Sequence, residues 1–381
     1  MADSTTPRGC SRHLLLIAAL FAVAVGIVVA RNWDGVGRVV ANMGAMREGS
    51  DVARALETPD DVLAWIAAHP EHASLVVLDA GGDELVTHEA EAVRPVVGLP
   101  SLLLLAEAAE RMEAGTLEVS GLEAERLDAR RLPGTSEPAT PPDVSTAQAL
   151  VEAAFAGDRA AESELVDRIG VQSVERRADA LGVGELEPPV PFEGMLLAWA
   201  EGAAEMSHRE AVATARRLAD RLATSATFRE ATVQRLREEG FPLGLDEQKA
   251  AAAATLPRGT AAGYAELLRL ALTDDLGSPA ASARVLDVLD ATPPDSLGTA
   301  FTYLGTRGGG LPGFLALGAV ARTPSHPEGR VAVLVLDDLP LAVFYHLVQT
   351  RLDTALVLQL LAEADAPVSG GTRAMEPSSG G

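Results

Sequence analysis

Three separated places in the sequence carry side chains that could act together on a substrate. Ser101 precedes a run of four leucines, Asp158 follows a glycine between two helical patterns, and Arg307 precedes three consecutive glycines. A serine hydroxyl becomes a nucleophile only when a neighbouring base takes its proton. Arginine can hold an anionic group bidentately but does not release its proton. The one lysine of the chain, Lys249, is distant in sequence from all three places.

The element that positions Ser101 is predicted to be a buried helix. Pro100 suits its first turn, and Gly115 suits the position just past its end. The leucines follow Ser101 and the first charge comes only at Glu107, so this helix is apolar on every side and needs other elements around it. Its N-terminus then points into the molecule, where free backbone N–H groups favour oxyanions. The alternative is that Ser101 only caps a core helix.

The residues around this helix form a recognisable pattern. They read Arg94-Pro-Val-Val-Gly-Leu-Pro-Ser-Leu-Leu-Leu-Leu, and the helix closes on Glu113-Ala-Gly-Thr-Leu. This pattern resembles the nucleophile helix of class A β-lactamases and related penicillin-binding serine hydrolases, which opens with S-x-x-K and closes on an Asp-Ala-Gly-Lys-Leu-type turn. Alignment on the closing turn places the family's nucleophilic serine at Gly98 and its lysine at Ser101. The resemblance therefore implies the scaffold without its usual chemistry.

The second motif of that family is S-D-N, which faces the nucleophile helix. Counting back from Asp167-Arg-Ile-Gly170 places this motif at Gly157-Asp158-Arg159, where only Asp158 matches. The alternative is that Asp158 caps the helix that follows it.

The third motif is K-T-G or K-G-G on a strand beside the site. The run Thr306-Arg-Gly-Gly-Gly-Leu-Pro-Gly313 resembles its K-G-G-x-x-P-G version, with Arg307 in the place of the lysine, followed by Gly308 and Gly309. The resemblance implies that Arg307 holds a substrate carboxylate but exchanges no proton during turnover. The alternative is that Gly308–Gly313 is only a tight hairpin turn.

The order of elements predicts an α+β fold. A hairpin comes first, a helical middle follows, and a three-stranded meander and a helix close the domain. The hairpin and the meander must join in one antiparallel five-stranded sheet flanked by helices, because each alone would leave an apolar face open. The resemblance implies the same β-lactamase/transpeptidase-like fold. The predicted strands and closing helix are Ser74–Asp79, Glu84–His88, Ala300–Leu304, Phe314–Val320, Arg330–Leu336 and Leu341–Ala364. The predicted middle helices are Ala147–Ala156, Ala160–Ile169, Gln172–Leu181, Arg209–Leu222, Phe228–Glu238, Gly263–Thr273 and Ala280–Leu289.

An apolar stretch near the N-terminus predicts attachment to a membrane. Leu14–Ala30 holds seventeen residues without a charge, about 25 Å as a helix, which reaches across a bilayer core with flanking anchors. We predict a short cytoplasmic tail at 1–13, a transmembrane signal-anchor at 14–30 and a membrane-proximal connector at 31–57. The β-lactamase-like domain then covers 58–366 outside the cytoplasm, and 367–381 is a disordered tail. The alternative is a signal peptide that is cleaved after export.

Composition excludes several classes of partner. The net charge of −23, from 54 acidic and 31 basic residues, repels the phosphates of nucleic acids. A single cysteine, Cys10, allows no intramolecular disulfide and no thiolate cluster. The seven histidines form no HExxH or H-x-x-x-H pair, so we expect neither a metal nor another cofactor.

These observations predict a catalytically degenerate, membrane-anchored protein of the cell envelope. It would contact the membrane through its N-terminal helix and bind a peptidoglycan-derived peptide or an envelope protein without turnover. One alternative is an active serine hydrolase that uses Ser101 on β-lactams or peptide amides, and another is a structural scaffold. The residues expected at the ligand site are Ser101, Asp158, Arg307, Gly308 and Gly309, with Gly98 at the nucleophile position.

Overall fold

The computed structural model describes residues 42, 44–119, 124–133, 146–239, 241–289, 300–363 and 373–374. The predicted cytoplasmic tail at 1–13, the predicted anchor at 14–30 and residues 31–41 and 43 of the connector lie outside these ranges. So does the predicted disordered tail, apart from two residues. Among the helices that the structure describes, none combines the length and the apolar character that crossing a bilayer requires.

The main sheet of the described chain has five antiparallel strands in the order β5-β6-β7-β1-β2. The predicted hairpin therefore joins the predicted meander, through β1 paired with β7. A two-residue strand, β8, runs parallel to β2 at the edge, and β3 pairs with β4 in a separate short sheet. The strands are β1 (Ala73–Asp79), β2 (Glu84–His88), β3 (Arg94–Pro95), β4 (Arg258–Gly259), β5 (Tyr303–Leu311), β6 (Phe314–Arg322), β7 (Arg330–Leu336) and β8 (Arg373–Ala374).

Helices cover both faces of this sheet. They are α1 (Ser50–Ala55), α2 (Pro59–Ala68), α3 (Pro100–Glu113), α4 (Ala124–Asp128), α5 (Ala147–Phe155), α6 (Arg159–Ile169), α7 (Val171–Leu181), α8 (Phe192–Ala200), α9 (His208–Thr224), α10 (Ala226–Glu239), α11 (Leu245–Thr255), α12 (Ala261–Leu272), α13 (Pro279–Leu289), α14 (Leu341–Thr350) and α15 (Leu352–Ala362). A short 3-10 helix, Ala203–Glu205, follows α8.

The sheet separates two apolar cores, because alternate residues of a strand point to opposite faces. In β7, Val333 and Val335 enter the larger core, whereas Leu334 and Leu336 enter the smaller core with α2, α14 and α15. The larger core surrounds α3, whose residues from Leu102 to Leu105 are all buried. The prediction that α3 is a central buried helix is therefore confirmed.

The C-terminal part of the predicted connector packs on the domain. Helix α1 lies against α14, and Ala53 and Leu56 are buried in the smaller core. Asn42 Oδ1 accepts a hydrogen bond of 2.9 Å from Leu245 N and so supplies a side-chain cap to α11, whose own N-cap is Gly244. The chain therefore meets the domain well before Thr58, the residue that caps α2.

Helices α8 to α11 form a layer of their own, residues 188–257, which we call the cap. Within it α8 packs against α9, and both pack against α11. The two ends of the cap meet: Glu187 N donates to Arg258 O at 2.9 Å, and Arg258 N donates to Glu187 Oε2 at 2.8 Å. His208 Nε2 lies 2.9 Å from the same carboxylate oxygen. The chain therefore leaves the main fold and returns to it at one point.

Two predicted elements differ in the structure. The predicted strand Ala300–Leu304 is instead β5, Tyr303–Leu311, which contains the glycines at 308–310. The alternative that Gly308–Gly313 is only a hairpin turn is therefore wrong, because the turn falls at Pro312 and Gly313. The predicted closing helix is two helices, because Arg351 adopts a left-handed conformation with φ of 58° between α14 and α15. Helices α8 and α11 of the cap were not predicted at all.

Candidate functional site

Ser101 lies one residue inside the N-terminus of α3, and it is only 1% exposed. The N-cap of α3 is Leu99, which has no capping side chain, so the alternative that Ser101 caps this helix is wrong. Its hydroxyl donates to Gly98 O at 2.5 Å and accepts from Arg307 Nε at 2.8 Å. Both hydrogen bonds are internal to the protein.

Arg307 on β5 connects the strand to two helices. Besides its bond to Ser101, its guanidinium donates to Phe155 O at 3.0 Å and stacks over the Phe155 ring at 4.6 Å. Burial lowers the pKa of Arg307, but an arginine of such high intrinsic pKa stays protonated. Arg307 thus remains a cation, and it holds β5 against the start of α3 and the end of α5.

Asp158 is the N-cap of α6. Its Oδ1 accepts from Ala160 N at 3.0 Å and from Ala161 N at 3.2 Å, and its Oδ2 accepts from Arg131 at 2.7 Å. This is the capping role given above as the alternative for Asp158. The structure therefore brings Ser101 and Arg307 into contact, while Asp158 has partners of its own. The role of all three as ligand contacts stays a prediction.

Gly98, the nucleophile position, lies directly against β5. Its φ is 77°, and a Cβ built on it would meet Gly308 O at 2.5 Å, Gly308 C at 2.6 Å and Gly309 N at 2.8 Å. Distances below 3.0 Å to backbone atoms cannot be relieved by turning a side chain. The space that a serine side chain would need is therefore occupied by the strand itself.

The cap covers the same position from the other side. A cavity of about 40 Å³ remains between α3 and the cap, with Gly98, Pro100 and Ser101 on one wall and Phe192 and Leu256 on the other. Drug-sized ligands occupy pockets of about 300–1,000 Å³. A β-lactam or a peptide does not fit beside Ser101 in this arrangement.

A much larger cavity, about 710 Å³, lies next to it between the cap and the main domain. We call it the cap cavity. Its main-domain wall holds Asp158, Arg159, the last two residues of β5 and Pro312 of the turn that follows. Its cap wall includes Phe192 and Trp199. The Gly157-Asp158-Arg159 segment therefore opens onto this cavity.

A buried ion cluster under the cap cavity was missed in the sequence. The side chain of Arg130 has no exposed surface, and it donates to Glu164 at 3.1 Å, to Glu193 at 3.1 Å and to Asp167. Glu193 also accepts from Ser163 at 2.6 Å, and burial raises the pKa of Glu193, opposed by Arg130. The cluster joins α6 to α8. Its one signal in the sequence is Glu164, an acid on the otherwise apolar face of α6.

Comparisons with known proteins find similarity to β-lactamases in both sequence and fold. The model of the β-lactamase enzyme family matches residues 58–303, more than half of the chain. The β-lactamase of Sphaerobacter thermophilus is similar over 78% of this chain and 95% of its own, with a TM-score of 0.50 and 15% identity, which shows the fold. A β-lactamase of Xanthomonas campestris covers 80% of this chain and 97% of its own, with a TM-score of 0.48 and 14% identity. A variant of the ancestral class A β-lactamase of Gram-negative bacteria covers 80% and 95%, with a TM-score of 0.49 and 18% identity. No curated protein sequence matches the chain.

Proposed function

Because this chain belongs to the β-lactamase enzyme family, we propose that it is a non-acylating member of that family, which binds a ligand or partner without turnover. The observation that carries the proposal is the contact of Gly98 with the backbone of β5. A family enzyme needs a serine side chain there and space for the substrate carbonyl beside it.

The chemistry around Ser101 supports the same proposal. Attack on an amide carbonyl needs a base that removes the hydroxyl proton. The Ser101 proton points to Gly98 O, and the side chain that contacts its oxygen is Arg307, which stays protonated. The carboxylate of Asp158 is held by Arg131 and by the start of α6. An active hydrolase that uses Ser101 is therefore the less supported candidate.

The acylation state after exposure to a β-lactam tests this proposal. We expect no adduct when the full chain is incubated with a fluorescent penicillin and examined by gel and by intact mass. A penicillin-binding protein serves as the positive control, and Ser101→Ala sets the background. A cooperative thermal transition shows that the sample is folded. A stoichiometric adduct on Ser101 that is lost in Ser101→Ala would overturn the proposal.

We further propose that the domain is held at the outer face of a membrane, where a peptidoglycan-derived peptide or an envelope protein is available as its partner. The apolar stretch Leu14–Ala30 supports the anchor, and only eleven residues separate Ala30 from Asn42, which contacts α11. Eleven residues span about 40 Å at most, so the domain would stay within about that distance of the membrane. A phosphatase reporter fused after Gly37 is expected to be active, since it matures only outside the cytoplasm. Activity of a cytoplasm-only reporter at that junction would contradict the anchored, exported arrangement.

A structural scaffold without any ligand is the remaining candidate. It needs no open cavity, whereas the cap cavity of about 710 Å³ is large enough for a ligand. The size of this cavity therefore favours a binding function over a purely structural one.

A further inference from the structure

We propose that the cap cavity binds an amphipathic anion, a ligand with an apolar body and one acidic group, and that Arg159 contacts the acidic group. The inference rests on the proposed function, because it names the class of ligand that a non-acylating member of this family would bind. The site is separate from the position beside Ser101, which retains only about 40 Å³.

The walls of the cap cavity are suited to an apolar body. Phe192, Leu196 and Trp199 of α8 face Leu311 of β5, and Phe241 closes the cap side. Burial of apolar surface in such a site favours binding in proportion to the area removed from water. The volume of about 710 Å³ lies within the range of ligand pockets.

The acidic side chains of the cavity are already neutralised. Asp158 is paired with Arg131 at 2.7 Å, and Glu193 is paired with Arg130 at 3.1 Å and accepts a further bond from the Ser163 hydroxyl. Arg130 is shared with Glu164 and Asp167, but Glu164 has two further arginine partners, so both carboxylates that line the cavity have a cationic partner. An acidic ligand group would therefore not meet an unpaired negative charge.

Arg159 keeps donors that can reach a ligand. Its side chain is 42% exposed, one of its nitrogens lies 3.2 Å from Glu162, and its guanidinium stacks over Phe192 at 5.1 Å. A guanidinium carries five N–H donors, so one hydrogen bond to Glu162 leaves donors for a carboxylate, phosphate or sulfonate. The stacking on Phe192 places this charge at the apolar wall, as an amphipathic ligand requires.

The charge of the whole chain limits the acidic part of the ligand. With a net charge of −23, the protein repels polyanions at long range. One acidic group on a large apolar body meets less of this repulsion and gains most of its affinity from burial. A single-charged amphiphile is thus favoured over a nucleotide or a polyphosphate.

Two probes that share one body test the proposal. Anilinonaphthalene sulfonate carries an aromatic body and one sulfonate, and N-phenylnaphthylamine is its neutral counterpart. The dissociation constant of each is measured by fluorescence with the full chain in nanodiscs of neutral lipid, after subtraction of empty discs. We expect saturable binding of both probes, with the sulfonate bound more tightly.

Variants locate the binding. Arg159→Gln should weaken the sulfonate about tenfold or more, the lower end for a charge-assisted hydrogen bond, and should leave the neutral probe within about twofold. Arg209→Gln on the exposed surface of α9 makes the same change of charge and should alter neither probe. Ala200→Phe should weaken both probes, because Ala200 lines the cavity and the larger ring occupies it. Each variant must keep the thermal transition of the wild type.

Equal sulfonate affinity in wild type and Arg159→Gln, or the absence of saturable binding, would overturn the proposal. Competition separates two sources of the ligand. Displacement by dodecanoate in neutral discs indicates a soluble amphiphile, and loss of probe binding in phosphatidylglycerol discs indicates a membrane lipid. The acylation test above is independent: an adduct on Ser101 would overturn the proposed function while leaving the cavity result in place.

Discussion

Substitution of Gly98 by alanine isolates the contact that closes the nucleophile position. Gly98 has a φ of 77°, and its added Cβ would lie 2.5 Å from Gly308 O. A left-handed conformation costs a non-glycine residue roughly 1–2 kcal/mol. Overpacking against fixed backbone adds roughly 1–3 kcal/mol. Alanine also reduces the conformational entropy of the unfolded chain, which stabilises the folded state by roughly 0.4–1 kcal/mol. The sum of these effects should lower the free energy of unfolding of Gly98→Ala by about 2–4 kcal/mol.

Gly115 provides the matched control, because it shares the backbone conformation without the contact. Its φ is 65°, and an added Cβ would meet nothing within 4 Å. Gly115→Ala should therefore cost only about 1 kcal/mol. Urea unfolding followed by circular dichroism measures both, with the m-value as a check on two-state behaviour. Equal destabilisation by the two variants would refute the claim that β5 closes the nucleophile position.

Three further perturbations have expected outcomes. Asp158→Ala removes the cap of α6 and a partner of Arg131, and should lower the free energy of unfolding by about 2 kcal/mol in urea denaturation. A loss below about 0.5 kcal/mol would contradict the capping role. Burial lowers the pKa of His88, so the folded protein binds fewer protons than the unfolded chain, and its stability should fall as the pH drops below about 6.5. In His88→Asn, melting temperatures between pH 7 and pH 5 should decline less steeply, and an unchanged slope would exclude His88 as the cause. Glu187→Ala removes the hydrogen bond to Arg258 N and should admit protease cleavage of the cap before the sheet unfolds; cleavage at the wild-type rate would show that these ends need no such bond.

The sequence was sufficient to predict that the hairpin and the meander share one antiparallel sheet, and it was sufficient to predict the family. Runs such as Ser74–Asp79 and Arg330–Leu336 are apolar and rich in valine and leucine, which is typical of strands buried on both faces. The hairpin and the meander would each leave an apolar face exposed, and pairing them in one antiparallel sheet buries both faces. The structure confirms this shared sheet. The β-lactamase-like family that the helix from Pro100 suggested is confirmed by the family match.

The cap could not be predicted, because its helices lack the usual signal. Helix α8 reads Phe192-Glu-Gly-Met-Leu-Leu-Ala-Trp-Ala and is apolar on nearly every side. Helix α11 begins with polar residues and has five consecutive alanines after Lys249. Neither shows the 3.6-residue alternation of apolar and polar positions that marks a surface helix. Three prolines before α8 favoured a loop instead.

The candidate site was predicted in part. The resemblance placed Ser101 and Arg307 together, and they are in contact. The approach of β5 to Gly98 joins residues about two hundred positions apart, which no local pattern describes. Glycine at 98 and glycines at 308–310 were the available hint, since small residues on two facing segments permit backbones to touch. A turn was the alternative interpretation of the second group, since glycine usually weakens a strand.

The meeting of the cap's two ends has a consequence for how this protein can be engineered. Since Glu187 and Arg258 are already bonded to each other, the seventy residues between them form a single insertion, whose inner side packs in the larger core and whose Glu193 is paired with Arg130. Closing that gap with a short turn costs little loop entropy and leaves the path of the chain through the sheet unchanged. A shorter insertion would have to cover the same apolar surface and supply a partner for Arg130. A protein trimmed in this way would expose the start of α3 to water, so that ligand binding to the main domain could be measured without the cap.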